Sequence, residues 1–190
     1  MSDYFSNFPK IKYDGHVVRN IMLRVRILDN VRNDPFAFLP YTIKEGERPE
    51  DIANLYYGST EYLWLVFLSN KIIDPYFEWP LSESEMFQSL AKKYRPRALA
   101  DLNQTYLPDI DVFHWTMNDS RNANIEYYEK DGLRMSADSY ALANISISGW
   151  SPVRIFDEET ERNESMRNIQ LLNASYLKTA DANLKALLNQ

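Results

Sequence analysis

Few residues of this 190-residue chain have types and spacing that could do chemistry. Asp109, Asp111 and His114 are close enough in sequence to share a metal ion, but so short an acidic stretch is more typical of a loop before a strand. The run Asp-Glu-Glu over 157–159 offers paired carboxylates, although a charge run is usually the solvated face of a helix. The chain has no Cys, and His16 is the only other histidine, so thiolate catalysis and a multi-His site are excluded.

The motifs of common enzyme classes are also missing from the sequence. It contains no Gly-x-Ser-x-Gly elbow, no His-Glu-x-x-His helix and no Gly-x-x-x-x-Gly-Lys phosphate loop. With 5 Gly in the whole chain, there is little room for loops that cradle phosphate. We therefore expect a protein that is not an enzyme and that uses no metal and no cofactor.

The overall composition favours a protein that makes contacts with other proteins. Aromatic residues reach 14% and are rich in Tyr, a residue type enriched at protein interfaces. The net charge of −6 argues against a general nucleic-acid binder. No secretion signal is seen, and the longest apolar run, 63–68, is far shorter than the ~20 residues of a membrane span. We expect synthesis in the cytoplasm, without a nucleic-acid or membrane partner.

Local patterns predict the elements of the first 81 residues. Alternation around Asp14-Gly15 predicts a β-hairpin over 8–18. The period-2 pattern over 20–28 favours a strand, although a short amphipathic helix also fits it. The next segment predicts four elements: a strand over 38–44, a helix from Pro49 to Gly58, a second helix over 63–68 capped by Thr60, and a short strand over 77–81.

The rest of the chain gives less uniform signals. Ser82 and Glu85 form a capping box that begins a helix, which we expect to run to about Tyr94 and to stop before Pro96. Further elements are a strand over 112–117, a second hairpin around Asp131-Gly132, a charged helix over 157–163, a strand over 167–172 and a final helix capped by Asn173.

The helix over 63–68 is apolar on every side, so it must be covered on every side. Either the rest of the chain covers it or it docks on another protein. The surrounding stretch, 36–79, holds 11 of the 26 aromatic residues, which is more than so small a core can use. Part of this surplus is therefore expected on a protein-docking surface.

Three short motifs in this stretch resemble a LysM module. They are Tyr-Thr-Ile-Lys-Glu-Gly over 41–46, Ile52-Ala53, and Leu-Ser-Asn over 68–70. LysM modules usually bind N-acetylglucosamine polymers in a groove between two loops, which here would be 46–49 and 70–75. Glu47-Arg48-Pro49 replaces the usual Asp-Thr-Leu, and the second loop lacks its usual glycines, so the resemblance makes glycan binding an alternative rather than the expectation.

A resemblance over nearly the whole chain is to the small LysM-containing baseplate wedge subunit of contractile-tailed phages. It is carried by two blocks in the same order, the first over 46–79 and the second over 163–172. The resemblance implies a non-enzymatic structural subunit of the virion, which clamps neighbouring wedges around the tail hub. It also implies several copies in a six-fold arrangement, and contacts with the wedge proteins that form the core bundle and ring and with the subunit that initiates the sheath.

This resemblance implies an α+β fold with a central βααβ module. The expected segments are an N-terminal hairpin arm over 1–37, the LysM-like module over 38–81, a connecting helix over 82–96, a mixed β and loop region over 97–156, and a C-terminal region over 157–190. The expected module core is Tyr41, Ile43, Ile52, Ala53, Leu65 and Leu68. The interface candidates are Phe5, Phe8, Tyr56, Tyr57, Trp64, Tyr76, Phe77 and Trp79.

Overall fold

A computed structural model of the chain describes residues 8–20, 31, 34–143 and 149–188. The chain forms two compact units, each with its own hydrophobic core. Unit 1 comprises Met1–Trp79 and Met166–Gln190, and unit 2 comprises Pro80–Ser165, so unit 2 is inserted into the chain of unit 1. The chain mixes helices with antiparallel sheets, which confirms the expected α+β class.

The N-terminal hairpin is confirmed. Strand β1 (Lys10–Tyr13) pairs antiparallel with β2 (His16–Arg19). Asp14 and Gly15 both have positive φ, 48° and 77°, as a two-residue hairpin turn of the favoured twist requires. The strand predicted over 20–28 falls outside the described residues, except for Asn20.

Unit 1 continues with a strand and three helices whose starts and stops follow local signals. They are β3 (Phe38–Thr42), α1 (Pro49–Tyr57), α2 (Leu63–Asn70) and α3 (Pro75–Glu78). The predicted end of α1 is confirmed, because Gly58 has φ 79° and its N–H donates to the Asn54 carbonyl at 3.0 Å. The predicted cap at Thr60 is wrong: Ser59 caps a 3-10 turn (Thr60–Tyr62) that precedes α2, with its side chain accepting from the Glu61 N–H at 3.2 Å, and α2 itself has no side-chain cap.

The closing strand predicted over 77–81 is wrong, because Phe77 and Glu78 belong to α3 and residues 79–81 form no strand. Local hydrogen bonds favour this helical turn: the Asp74 side chain caps the Tyr76 N–H, and the Glu78 carboxylate accepts from the N–H groups of Ile73 and Asp74. The partner of β3 is instead β7 (Asn168–Leu172), which pairs antiparallel along its whole length. The strand predicted over 167–172 is thereby confirmed.

The two chain segments that connect to unit 2 both contact the loop after β3. The Trp79 indole N–H donates to the Glu47 carbonyl at 3.0 Å. On the return, the Arg167 carbonyl accepts from the Ile43 N–H at 2.9 Å, and the Arg167 guanidinium pairs with Glu45 at 2.6 Å. The chain therefore leaves unit 1 and returns to it at the same loop. It finishes with a short 3-10 turn (Ala174–Tyr176) and α8 (Leu177–Leu188).

Unit 2 packs helices against a three-stranded antiparallel sheet of order β5-β4-β6. Its elements in chain order are α4 (Glu83–Leu102), α5 (Asp109–Met117), β4 (Ile125–Lys130), β5 (Leu133–Ser136), α6 (Ala137–Leu142), β6 (Ser151–Arg154) and α7 (Ile155–Ser165). The capping box of Ser82 with Glu85 and the hairpin at Asp131-Gly132 are both confirmed. The charged helix predicted over 157–163 is part of α7.

Two predictions in unit 2 are wrong. Helix α4 does not stop before Pro96 but runs to Leu102, because the buried residues Tyr94 and Ala98 carry the packed face across the proline. A proline inside a helix typically costs about 3 kcal/mol, because it removes one hydrogen bond and crowds the carbonyl four residues back, which here belongs to the exposed Lys92. The connecting helix is thus longer than the expected 82–96.

The second wrong prediction is the strand over 112–117, which is the helix α5. Val112, Trp115 and Thr116 are buried at the i, i+3, i+4 spacing of a helix. Asp109 lies in its first turn, where a carboxylate favours the helix N-terminus, and it also forms an ion pair with Arg95. Among the residues that the structure describes, no group of acids and histidines is arranged to hold a metal ion, and no helix is long and apolar enough to cross a membrane.

The insertion of unit 2 leads to a test of folding. We expect a chain in which about ten Gly and Ser residues replace 80–165 to fold, because such a linker spans about 17 Å and the ends of unit 1 contact one loop. Cooperative thermal unfolding and a near-ultraviolet circular dichroism signal from its tryptophans would be the readout. A control chain ending at Trp79 lacks β7 and should give neither signal. A replacement chain that is unfolded would contradict the prediction.

Candidate protein-interaction surface

The core of unit 1 holds the elements that carry the candidate interaction surface, and it includes most of the predicted module core. Ile43, Ile52, Ala53 and Leu65 are buried in the core of unit 1. Tyr41 and Leu68 are only half-buried. This chain itself buries Leu65 and Val66 of the apolar helix over 63–68, in a core shared with Ile169 and Leu171 of β7, and half-buries the other apolar side chains of that helix.

Glu47 organises the loop after β3 through both carboxylate oxygens. One oxygen accepts from the Tyr41 hydroxyl at 2.8 Å, and the other accepts from the Lys44 N–H at 2.9 Å. Burial, together with this hydrogen bond to a carboxylate, raises the pKa of Tyr41 to about 12. The Glu47 carbonyl accepts from the Trp79 indole, so one residue ties β3 to the segment after α2.

Asn70 ends α2 and joins it to the outer edge of β7. Its amide oxygen accepts from the Gln170 N–H at 2.7 Å, and its amide nitrogen donates to the Gln170 carbonyl at 2.9 Å. The same nitrogen donates to the Val66 carbonyl at 2.8 Å. The side chain thus replaces a neighbouring strand at this position and fixes where the chain leaves α2.

The segment after Asn70 is held by polar contacts on both sides of its exposed residues. Lys71 adopts the left-handed conformation with φ 59°, and the Ile72 N–H donates to the Phe67 carbonyl at 3.0 Å. At the far end, the Trp79 ring packs edge-on against Phe67, with 6.3 Å between centroids. The segment is therefore anchored before and after α3.

Three apolar side chains on this anchored segment point into solvent. Ile73 is 88% exposed, Tyr76 is 89% exposed and Phe77 is 69% exposed. We call these three residues the apolar segment. Single exposed apolar residues are ordinary on protein surfaces, but three within five positions of a braced turn offer a contact area for another protein.

The other interface candidates lie elsewhere. Tyr57 is buried in the core, and burial raises the pKa of its hydroxyl. Phe8 is buried beside Leu184, and the half-buried Trp64 packs on both. Tyr56 and Trp79 are half-buried, whereas Phe5 lies outside the described residues. Of the seven candidates that the structure describes, only Tyr76 and Phe77 are brought together as strongly exposed side chains.

Ile73 is the member of the apolar segment that sequence reasoning missed. Its neighbour Ile72 has the same residue type but is half-buried, so composition alone does not separate the two. The signal that could have found Ile73 is its place directly before Asp74-Pro75. A residue at the position before an N-cap is outside the helix and can be directed to solvent.

The Glu78 carboxylate is the charged group that holds α3 in place. It accepts from the Ile73 N–H at 2.6 Å and from the Asp74 N–H at 2.8 Å. Hydrogen bonds from the Asp74 and Ile73 backbone lower its pKa below the ordinary 4.5. The stabilisation of this turn by Glu78 is therefore present above pH 4.5 and is lost as the pH falls through the lower pKa of the folded state.

We expect Asn70→Ala to destabilise unit 1 by about 0.5–1.5 kcal/mol, because it removes the two hydrogen bonds to the exposed Gln170 backbone and the one to the Val66 carbonyl. Urea unfolding of the full chain measures the change. Asn54→Ala is the matched control, since Asn54 is exposed on α1 and its loss should change stability by less than about 0.5 kcal/mol. Equal effects of the two substitutions would contradict the role of Asn70.

The Glu78 contacts predict a local titration. In an NMR pH series, the amide protons of Ile73 and Asp74 should shift together, with a midpoint below the ordinary 4.5 of a glutamate. Glu78→Gln should abolish that shared titration because the amide side chain carries no charge. A midpoint at or above the ordinary value, or a titration that persists in the variant, would show that Glu78 does not brace the turn.

Comparisons with known proteins agree with this picture of a structural component. The sequence profile of a family described as base plate wedge protein 53 matches residues 4–185. The chain is also 28% identical over 100 residues to the baseplate wedge protein gp53 of Enterobacteria phage T4. That match covers 48% of this chain and 51% of the T4 protein, so the chain spans about half the length of this curated relative.

The family match extends over both units and over both blocks that carried the resemblance. It covers far more than half of the chain. A wedge protein of the phage baseplate is a component of the virion tail. The chain belongs to the base plate wedge protein 53 family.

Proposed function

We propose that this protein is a clamp that joins neighbouring wedge subunits of a phage tail baseplate through protein–protein contacts. The observation that carries the proposal is the apolar segment, Ile73, Tyr76 and Phe77, which is exposed but braced. A preorganised aromatic contact loses little conformational entropy on binding, which is typical of residues that dominate an interface. Family membership supports other baseplate wedge proteins as the partners.

The finer partners follow from the resemblance and remain part of this proposal. They are the wedge proteins that form the core bundle and ring and the subunit that initiates the sheath, with several copies of this chain in a six-fold arrangement around the hub. The small footprint of the apolar segment suits one contact among several, because a stable interface usually buries about 1,600 Å² in total.

Glycan binding is the alternative function, and the geometry of unit 1 supports it less well. The hydrogen bond from Trp79 to the Glu47 carbonyl ties the loop after β3 to the end of the segment after α2. In a LysM module the corresponding loops flank the sugar groove. Arg48, which occupies the cap position of α1, makes no side-chain cap, in contrast to the hydroxyl residue usual there.

The clamp proposal is tested with the double variant Tyr76→Ala, Phe77→Ala. Because both side chains are exposed, we expect its thermal unfolding to match the wild type. Capture of the other wedge proteins in co-purification should weaken more than about tenfold, since truncation of interface hot spots costs about 2 kcal/mol or more. Tyr106→Ala, a similarly exposed tyrosine in unit 2, is the matched control and should leave capture unchanged.

Two outcomes would count against the clamp. If the double variant captures the wedge proteins as well as wild type does, the apolar segment is not the contact. If the wild-type chain instead shows saturable binding to insoluble peptidoglycan, and the double variant loses that binding, the segment serves glycan recognition.

A further inference from the structure

The N-terminal hairpin separates charge from apolar surface on its two faces. Residues paired across an antiparallel ladder lie on the same face, and successive residues of a strand lie on opposite faces. The register of β1 with β2 therefore assigns four residues to each face. One face carries Lys10, Lys12, Val17 and Arg19, and the other carries Ile11, Tyr13, His16 and Val18.

Both faces of the hairpin are open to solvent. All eight strand residues are exposed, with Tyr13 at 71% and Val17 at 64%. A two-stranded hairpin is at best marginally stable in water unless its apolar side packs against something. An uncovered hairpin with this much apolar surface is therefore expected to gain a contact in the assembled state.

The base of the hairpin is nonetheless fixed to unit 1. Phe8 is buried beside Leu184, and the Arg19 guanidinium donates to the Phe8 carbonyl at 3.1 Å. The Asn20 N–H donates to the Pro9 carbonyl at 2.8 Å, which extends the ladder by one bond beyond the strands. The hairpin is thus an arm that is anchored at one end and exposed along its length.

The charge of the arm is opposite to that of the rest of the chain. Residues 10–19 hold three cations and one carboxylate, a net charge of +2, whereas the whole chain carries −6, so the remainder carries −8. We propose that the basic arm, residues 10–19, docks on the acidic body of a second copy of this chain. A contact between two unlike surfaces of identical chains is heterologous and links copies head to tail.

The charge of the arm favours the body of a second copy over two other binding partners, the arm of a second copy and a nucleic acid. A two-fold contact of arm with arm through the basic faces would oppose three cations to three, and one through the apolar faces would still set two arms of net charge +2 side by side and leave their cations without acidic partners. A nucleic acid would meet the three cations but would be repelled by the −8 of the body. An acidic copy of the same chain attracts the arm through its net charge of +2, whichever face of the hairpin that copy covers.

The test is sedimentation velocity of the full chain over a range of concentrations, at low and at high salt. We expect wild type to self-associate and to do so more weakly at high salt, because exposed charges are screened. The variant Lys10→Glu, Lys12→Glu should weaken association at least tenfold. Its matched control is Lys92→Glu, Lys178→Glu, which changes the net charge equally at exposed lysines outside the arm and should associate like wild type.

A second variant separates the apolar face from the charge. Tyr13→Ala leaves the net charge unaltered and should also weaken self-association. The association that remains should depend on salt in the same way as that of wild type. Thermal unfolding of all variants confirms that unit 1 stays folded. The Tyr76→Ala, Phe77→Ala variant should self-associate normally, so failure of the clamp proposal and failure of this one are distinguishable.

Three results would overturn the head-to-tail contact. One is a wild-type chain that is monomeric at every concentration and salt. A second is equal loss of association in the arm variant and the control variant, which would indicate general charge repulsion. The third is a monomeric wild type whose arm variant loses capture of other wedge proteins, which would assign the arm to a different partner.

Discussion

The pairing of β3 with β7 is the interaction on which unit 1 depends. It joins Thr42 to Asn168, residues that are separated by the whole of unit 2. The pairing places Ile169 and Leu171 over α2, so the core that buries Leu65 and Val66 is completed by a strand close to the C-terminus. The Asn70 amide then satisfies the outer edge of that strand at Gln170. A contact of such long range is formed slowly, because the entropy of closing the loop must be overcome first.

This pairing answers the question that the sequence left open about the helix over 63–68. An all-apolar helix could have been docked on another protein, and its own chain covers it instead. The consequence is that much of the aromatic surplus belongs to the core or its margin, including Tyr57 and Trp64. The docking surface that we propose is therefore smaller than the count of aromatic residues suggested, and it is assigned to the residues immediately after the helix rather than to the helix itself.

Local signals predicted the fold at three places where backbone chemistry alone decides the conformation. The turn at Asp14-Gly15, the stop at Gly58 and the capping box at Ser82 each rest on a few adjacent residues, and all three are confirmed. Predictions failed where packing decides. Pro96 does not stop α4, because the buried face continues across it, and 112–117 is helical, because its apolar spacing fits a packed helix.

The candidate site likewise combines features that adjacent residues determine with features that only the packing determines. Aromatic content directed attention to Tyr76 and Phe77, but the sequence could not separate them from buried neighbours such as Tyr57, since exposure depends on where β7 lies. Ile73 was missed because nothing in its residue type distinguishes it from Ile72. What can be read in advance is the Asp74-Pro75 start of a helical turn, a signal that also argues against the strand predicted over 77–81.

The bracing of the apolar segment explains how exposed aromatic residues stay available for contact. Apolar side chains on an unrestrained loop would fold back against the nearest hydrophobic surface. Here the backbone on one side is fixed by Asn70 and on the other by Trp79, while Glu78 closes the turn between them. Each of these restraints is a polar contact made by a side chain to a backbone group. The display of an apolar surface thus depends on polar residues around it, and changes to those residues should alter binding without any loss of apolar area.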